Sequence, residues 1–166
     1  MKRIIQIIIV TIIVFILFIM FFMHLFNGQT YSLTGSVEDA VLDSNGNIVI
    51  IEEDVTEQPS YITYTYGGVK IGLLAIRNSK GKVVVVINTC QSCNKPSNAY
   101  YFLKEDRLIC RSCDIKIDID ELDNLKYDSC NPITIDDIKY ENGKIIIGTK
   151  QLQELKDRFE NWNGPK

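Results

Sequence analysis

Histidine is almost absent from this chain: the single one, His24, sits inside an apolar N-terminal run, so a metal site further along has no imidazole to draw on. That disfavours His-dependent zinc catalysis, Rieske-type ligation and blue copper, all of which use ring nitrogens. It also removes the commonest general base. No nucleophile motif offsets the loss, so an enzyme is not expected. Positive charge is missing where it would be informative, because residues 27–69 contain no Lys or Arg and seven acids, from Glu38 to Glu57. With 18 basic against 21 acidic residues overall, nothing forms the basic stripe that phosphate binding needs, and no nucleic-acid partner is expected. The acidic runs Glu52-Glu53-Asp54 and Asp118–Asp123 read as solvated surface. A small-residue cleavage site is lacking after the apolar run, and so is a lipoprotein cysteine, the first cysteine being Cys90.

What is present begins with that run. From Ile4 to Phe26 the only polar residues are Gln6, Thr11 and His24. As a helix rising about 1.5 Å per residue, the run reaches roughly 34 Å, enough to cross a hydrocarbon core of about 30 Å. Residues 1–27 are therefore expected to be an uncleaved transmembrane anchor in the lipid bilayer, with residues 28–166 as a separate domain. Lys2 and Arg3 precede the run and acids follow it, so the positive-inside rule puts the N-terminus in the cytoplasm and the domain outside.

The domain is organised around Cys90-Gln91-Ser92-Cys93 and Cys110-Arg111-Ser112-Cys113, with sixteen residues between the inner cysteines. This falls within the C-x2-C-x15-20-C-x2-C spacing of metal sites, because each pair lets one tight turn aim two sulfurs at a common point. Cys90, Cys93, Cys110 and Cys113 are the candidate ligands. Disulfides between the two turns are the plain alternative for a domain outside the membrane, although the short loop within one Cys-x-x-Cys step gives a poor staple. The residues after the pairs, Asn94 and Asp114, are not histidine, which excludes c-type haem attachment. Both tolerate the left-handed backbone that such turns often need. All-thiolate ligation suits an iron-sulfur cluster, a single rubredoxin-like iron or a structural zinc, and spacing does not choose among them. Lys95, Arg107, Arg111 and Lys116 lie close enough in sequence to offset thiolate charge. Cys130, in Cys130-Asn131-Pro132, reads on its own as a fifth ligand, a replacement ligand or a buried spare.

Around the cysteines the sequence reads as mainly β. Thr34–Leu42 and Ile48–Asp54 flank Asn45-Gly46 as a hairpin, the Asn-Gly step being the strongest short hairpin signal. Tyr61–Tyr66 is composed of strand formers and turns at Gly67-Gly68, and Val69–Arg77 pairs with Lys82–Thr89 around Asn78-Ser79-Lys80-Gly81. Val83–Ile87 is apolar at every position, as a central strand covered on both faces should be. Tyr100–Leu103 and Arg107–Ile109 deliver the chain to Cys110, Ile115–Ile119 alternates, and Ile133–Tyr140 joins Lys144–Gly148 through Glu141-Asn142-Gly143. Leu152, Leu155, Phe159 and Trp162 recur at helical spacing, and Glu154 stands four before Arg158, so Lys150–Trp162 is expected to be an amphipathic helix covering the sheet. The fold expected is a small β-hairpin domain with a four-cysteine ribbon-like metal site, an N-terminal transmembrane helix and a C-terminal helix.

A strand leading into Asn88-Thr89-Cys90-Gln91-Ser92-Cys93, an aromatic-containing segment from Tyr101 to Cys110, then Cys113 and Cys130-Asn131-Pro132 before an Asn-Gly hairpin resembles the membrane iron-sulfur-containing proteins called FtrD-like. The likeness runs over roughly residues 36–150, with Asp114 standing where the family usually has glycine. It implies Cys90, Cys93, Cys110 and Cys113 as ligands of iron or an iron-sulfur cluster, with Cys130 as an additional candidate. It implies also an accessory role in membrane iron uptake, in electron transfer or metal handling, with an iron permease or redox protein as partner. The alternative from a different class is a structural zinc ribbon that shapes an interaction module without redox activity.

Overall fold

The computed structural model describes Arg3, Gln6 and residues 11–20, 34–93, 97–125 and 130–165. The chain divides into two units, Met1–Ser32 and Leu33–Lys166. In the first, residues 11–20 are helical and their large apolar side chains, from Ile19 at 41% to Phe15 at 63%, stand exposed. Among the described residues no helix is long and apolar enough to cross a membrane. The span expected over Ile4–Phe26 falls largely outside the described residues, as does His24.

The second unit is built on a five-stranded sheet of order β1-β3-β4-β5-β9, from Ser36–Asp39, Ser60–Tyr66, Val69–Arg77, Val83–Cys90 and Pro132–Thr134. Gly67 and Gly68, both at positive φ (54° and 79°), make the two-residue turn that fixes the register Tyr66↔Val69. All eight residues of β5 are buried: the apolar run Val83–Ile87 predicts this for its first five, and Asn88 and Thr89 are buried with them. Because side chains alternate across a strand, β4 and β5 feed two separate cores. Ile71, Leu73, Ala75, Val83, Val85 and Ile87 face one side, and Leu74, Ile76, Val84, Val86 and Cys90 face the other.

The first side is covered by a three-stranded sheet, β10-β11-β2, made of Ile138–Glu141, Lys144–Ile147 and Ile48–Ile51. Its Ile48, Ile50, Ile145 and Ile147 pack with Leu152 and Phe159 into a core of aliphatic and ring surfaces. The second side is covered by another three-stranded sheet, β6-β7-β8, made of Tyr101–Lys104, Arg107–Cys110 and Lys116–Asp118. It brings Tyr101, Leu103, Leu108, Cys110 and Ile117 against the first.

Two expectations are corrected. The N-terminal hairpin is closed by a single bridge, Leu42↔Ile48. β1 instead pairs parallel to β3, from Ser36↔Ser60 to Asp39↔Thr63, and β2 pairs with β11. The turn signal was sound, since the Asp43 carboxylate accepts from the backbone N–H groups of Asn45 (2.8 Å) and Asn47 (2.9 Å). What overrode it is the pairing available to each strand: the Ile48 and Ile50 side chains gain a full core beside β11, which a two-stranded ribbon would not provide. The C-terminal helix is also shorter than expected. α1 covers Lys150–Glu154, and a 3-10 turn follows at Lys156–Arg158. Leu152, Leu155, Phe159 and Trp162 do face the core as the spacing required. The helix breaks because Trp162 folds back over Gly72, where a Cβ would run into its ring, and because Arg158 is drawn to the Gln91 carbonyl (3.1 Å) rather than to Glu154.

Candidate metal centre

Three chain segments meet at the end of β5. The strand itself terminates at Cys90 and passes into the turn Gln91-Ser92-Cys93, with the Cys93 N–H pointing at the Cys90 sulfur (3.4 Å). The hairpin β6–β7 ends at Cys110, whose following turn carries Cys113. Asp114 closes that turn at φ 56°, in the left-handed region, and its N–H donates to the Cys110 carbonyl (2.9 Å). The positive φ expected there is thus present, while Asn94 and Lys95 lie outside the described residues. The third segment reaches the site because β9 pairs with β5 at Cys90↔Pro132, and the Gln91 N–H donates to the Asn131 carbonyl (2.9 Å). This pairing sets Cys130 beside the first turn.

The sulfurs of Cys90, Cys93, Cys113 and Cys130 all lie within 4.8 Å of one another. A tetrahedral ion with metal–sulfur bonds of about 2.3 Å spaces its four sulfurs about 3.8 Å apart, so a small contraction would close this group around one ion. A cluster interposes several metal and sulfide atoms and spreads its thiolates further. Cys90 is fully buried, Cys93 and Cys130 are half-buried, and Cys113 is exposed, so the group lies in the wall of the domain and opens to solvent at Cys113. Cys110, the other ligand expected from spacing, is fully buried, stands outside this close group, and is hydrogen-bonded to the Cys113 thiol. All five cysteines are free thiols, with no disulfide between the turns.

The charge balance of the group is uneven. For Cys90 burial is the largest single influence and opposes ionisation, but hydrogen bonds from the Tyr101 hydroxyl and from the Cys93 and Ser92 N–H groups outweigh it and hold the thiol below its usual range. Burial pushes Cys93 up, and sharing protons with the Cys113 and Cys90 thiols pushes it further. Cys110 is pushed up to about 12, mainly by burial. Cys130 is raised by burial and then by its contact with Cys113. Cys90 is thus the thiol poised to ionise, while Cys93, Cys110 and Cys130 are held protonated until a cation displaces the protons.

Tyr101 and Asn88 are the residues that sequence reasoning undervalued. Tyr101 reads in sequence as an aromatic core residue, and it is fully buried. Its hydroxyl, however, donates to the Cys130 carbonyl (2.6 Å) and lies beside the Cys90 sulfur, whose thiolate it favours. Asn88 holds it there, accepting from the Tyr101 N–H (2.7 Å) and donating to the Tyr101 carbonyl (3.3 Å). A buried asparagine on the strand just before a Cys-x-x-Cys turn was the available signal, since a buried amide must find partners.

The family model described as "Membrane iron-sulfur containing protein FtrD-like" matches residues 44–159. No curated protein matches the chain. A crystal structure of the quaternary ammonium Rieske monooxygenase CntA in complex with an inhibitor is similar over 63% of this chain at 14% identity, with a TM-score of 0.39. The match spans about a third (32%) of that chain's length.

Proposed function

The chain belongs to the FtrD-like family of membrane iron-sulfur containing proteins, and from that premise we propose that it is a membrane-tethered, extracytoplasmic iron-binding accessory protein that serves a membrane iron-uptake system. The observation that carries this reading is the group of four sulfurs within 4.8 Å of one another. Their spacing supports a single iron in four thiolates, the smallest iron–sulfur centre, rather than a larger cluster. Cys90, Cys93, Cys113 and Cys130 would hold the ion, and a bound iron would supply one-electron chemistry there. The protein's own part is to fix the sulfurs. The hairpin β6–β7 and the pairing of β5 with β9 converge the three segments, Tyr101 steadies Cys90 and Cys130, and the exposed Cys113 marks the side from which a redox protein or an iron permease would approach. The role is handling of electrons or metal rather than catalysis.

The apolar run from Ile4 to Phe26 is assigned as the anchor. Its support is its length and the exposed apolar side chains of the helical residues 11–20, a surface that in water needs a cover. Lys2 and Arg3 would remain in the cytoplasm and the β domain would stand outside.

The same sulfur spacing also suits a structural zinc, which makes the redox-silent interaction module the competing reading. The deciding experiment is an ultraviolet–visible spectrum of the full chain, purified anaerobically, with iron, zinc and acid-labile sulfide counted per chain. Thiolate-to-iron absorption with one iron and no sulfide is the expected result. A colourless protein holding one zinc would replace this function with the structural one.

A further inference from the structure

Two half-buried arginines are used differently. Arg77 commits its whole guanidinium to the fold: Nε donates to the Val55 carbonyl (3.0 Å), Nη1 to the Gly81 carbonyl (2.7 Å) and Nη2 to the Glu52 carbonyl (2.6 Å). Arg158 commits one nitrogen, Nη1, to the Gln91 carbonyl (3.1 Å), and among the described residues it has no other hydrogen bond and no ion pair. Glu154, four residues before it, stands toward Lys150 instead (3.9 Å). Nε and Nη2 of Arg158 remain, and they form one edge of the fork that fits the two oxygens of a carboxylate. A guanidinium partly withdrawn from water favours a partner on those donors.

That guanidinium lines a cleft. A space of about 430 Å³ opens between the first Cys-x-x-Cys turn, β9 and the C-terminal helical segment. Small-molecule sites run to about 300–1,000 Å³ and combine apolar walls with a few placed polar groups. Here Ile133 and Leu155 are the apolar wall, and Arg158 and Glu154 are the charged groups. Gln151 adds no free polar group, since its amide donates to the Thr134 carbonyl and accepts from the Asp136 N–H (both 3.0 Å). The tether to Gln91 fixes Arg158 against the turn, while Glu154 is exposed.

We propose that this cleft is a binding site for a small carboxylic acid that carries a hydrogen-bond donor, a hydroxy or amino acid. The carboxylate takes the Nε–Nη2 edge of Arg158, a short aliphatic body lies on Leu155 and Ile133, and the hydroxyl or ammonium group donates to the Glu154 carboxylate. A second carboxylate on the ligand is disfavoured, because it would face Glu154. The cleft shares the turn residues Gln91 and Ser92 with the metal centre, but Cys90, Cys93, Cys113 and Cys130 do not line it. The site therefore does not depend on which ion the sulfurs hold.

The test is saturation-transfer NMR on the full chain in detergent, with lactate and alanine as probes and propionate and succinate beside them. Lactate and alanine are expected to receive saturation, propionate less for want of a donor, and succinate least. Arg158→Gln should weaken both probes by about tenfold or more, and Arg158→Lys by less, with the circular dichroism unchanged. Because Arg158 also holds the Gln91 carbonyl, Glu154→Gln is the second variant, at an exposed side chain that does not touch the turn. It should raise succinate relative to lactate. No transfer to either probe in the wild type, equal transfer in Arg158→Gln, or succinate as the best ligand would overturn the site. Equal transfer to all four acids that no variant changes is uptake by the micelle and overturns it too. Should Arg158→Gln unfold, Glu154→Gln decides: an unchanged order of the four acids sinks the proposal.

Discussion

The two faces of the central sheet are made by the same strands and do different work. On one, alternate residues of β4 and β5 meet Ile48, Ile145, Ile147, Leu152 and Phe159 in a core made of hydrocarbon and ring surfaces. On the other, the intervening residues of those strands meet Tyr101, Cys110, Leu108 and Leu122, and the row ends in Cys90. A single buried strand can thus support a packing face and a chemical face at once, because its period of two separates them. The apolar face gives the domain a core independent of metal. The thiol face can then be crowded and short of satisfied charge, with its cost carried by the rest of the fold.

This comparison predicts separable failures. The largest effect is expected from Cys90→Ser, which removes the buried, most readily ionised thiol of the group. Metal content should fall to near zero, while the circular dichroism of the β domain persists because the opposite core is intact. A variant that unfolds outright would break the distinction between the faces. Next comes Leu73→Ala, at a fully buried position on the apolar face, expected to cost about 2–5 kcal/mol in denaturant unfolding. The chains that remain folded should bind metal as tightly as the wild type.

Tyr101→Phe is the intermediate case. It keeps the ring but leaves the Cys130 carbonyl without its donor and takes away the hydroxyl that favours the Cys90 thiolate. Metal affinity should weaken by about 10- to 100-fold, as for other residues that orient ligands from behind, with little change in unfolding of the metal-free form. The smallest effect is expected at Ser79→Ala, on the rim. The Ser79 hydroxyl and N–H both donate to the Asp120 carboxylate and hold it below the usual range. A depressed carboxylate contributes stability above its unfolded pKa of about 4 and loses that contribution as pH falls through the folded value. The variant should therefore lose a little stability at neutral pH and differ from wild type less and less in acid, as followed by unfolding curves across that range. Metal binding should not change.

Much of this arrangement was readable from the residues. The two Cys-x-x-Cys steps marked the site, the run Val83–Ile87 marked the doubly covered strand, and Asp114 marked a left-handed turn, all because each depends on local geometry. The parts that were not readable depend on distant partners. β1 and β2 left their expected hairpin for β3 and β11, whose pairing only the folded chain supplies. Cys130 stands among the close sulfurs, and Cys110 at their edge, because β9 pairs with β5 at Pro132, a contact 42 residues away in sequence from Cys90. Tyr101 looked like core and is core, but its hydroxyl also finds the Cys130 carbonyl. Spacing identifies which sulfurs can converge, and strand pairing decides which of them do.

The most direct test of the account is X-ray absorption at the metal edge of the full chain as isolated without oxygen. A single shell of four sulfurs with no second metal nearby is the result expected from a group whose sulfurs lie within 4.8 Å of one another. A metal–metal distance, or a shell with nitrogen or oxygen in place of sulfur, would contradict a mononuclear four-thiolate centre.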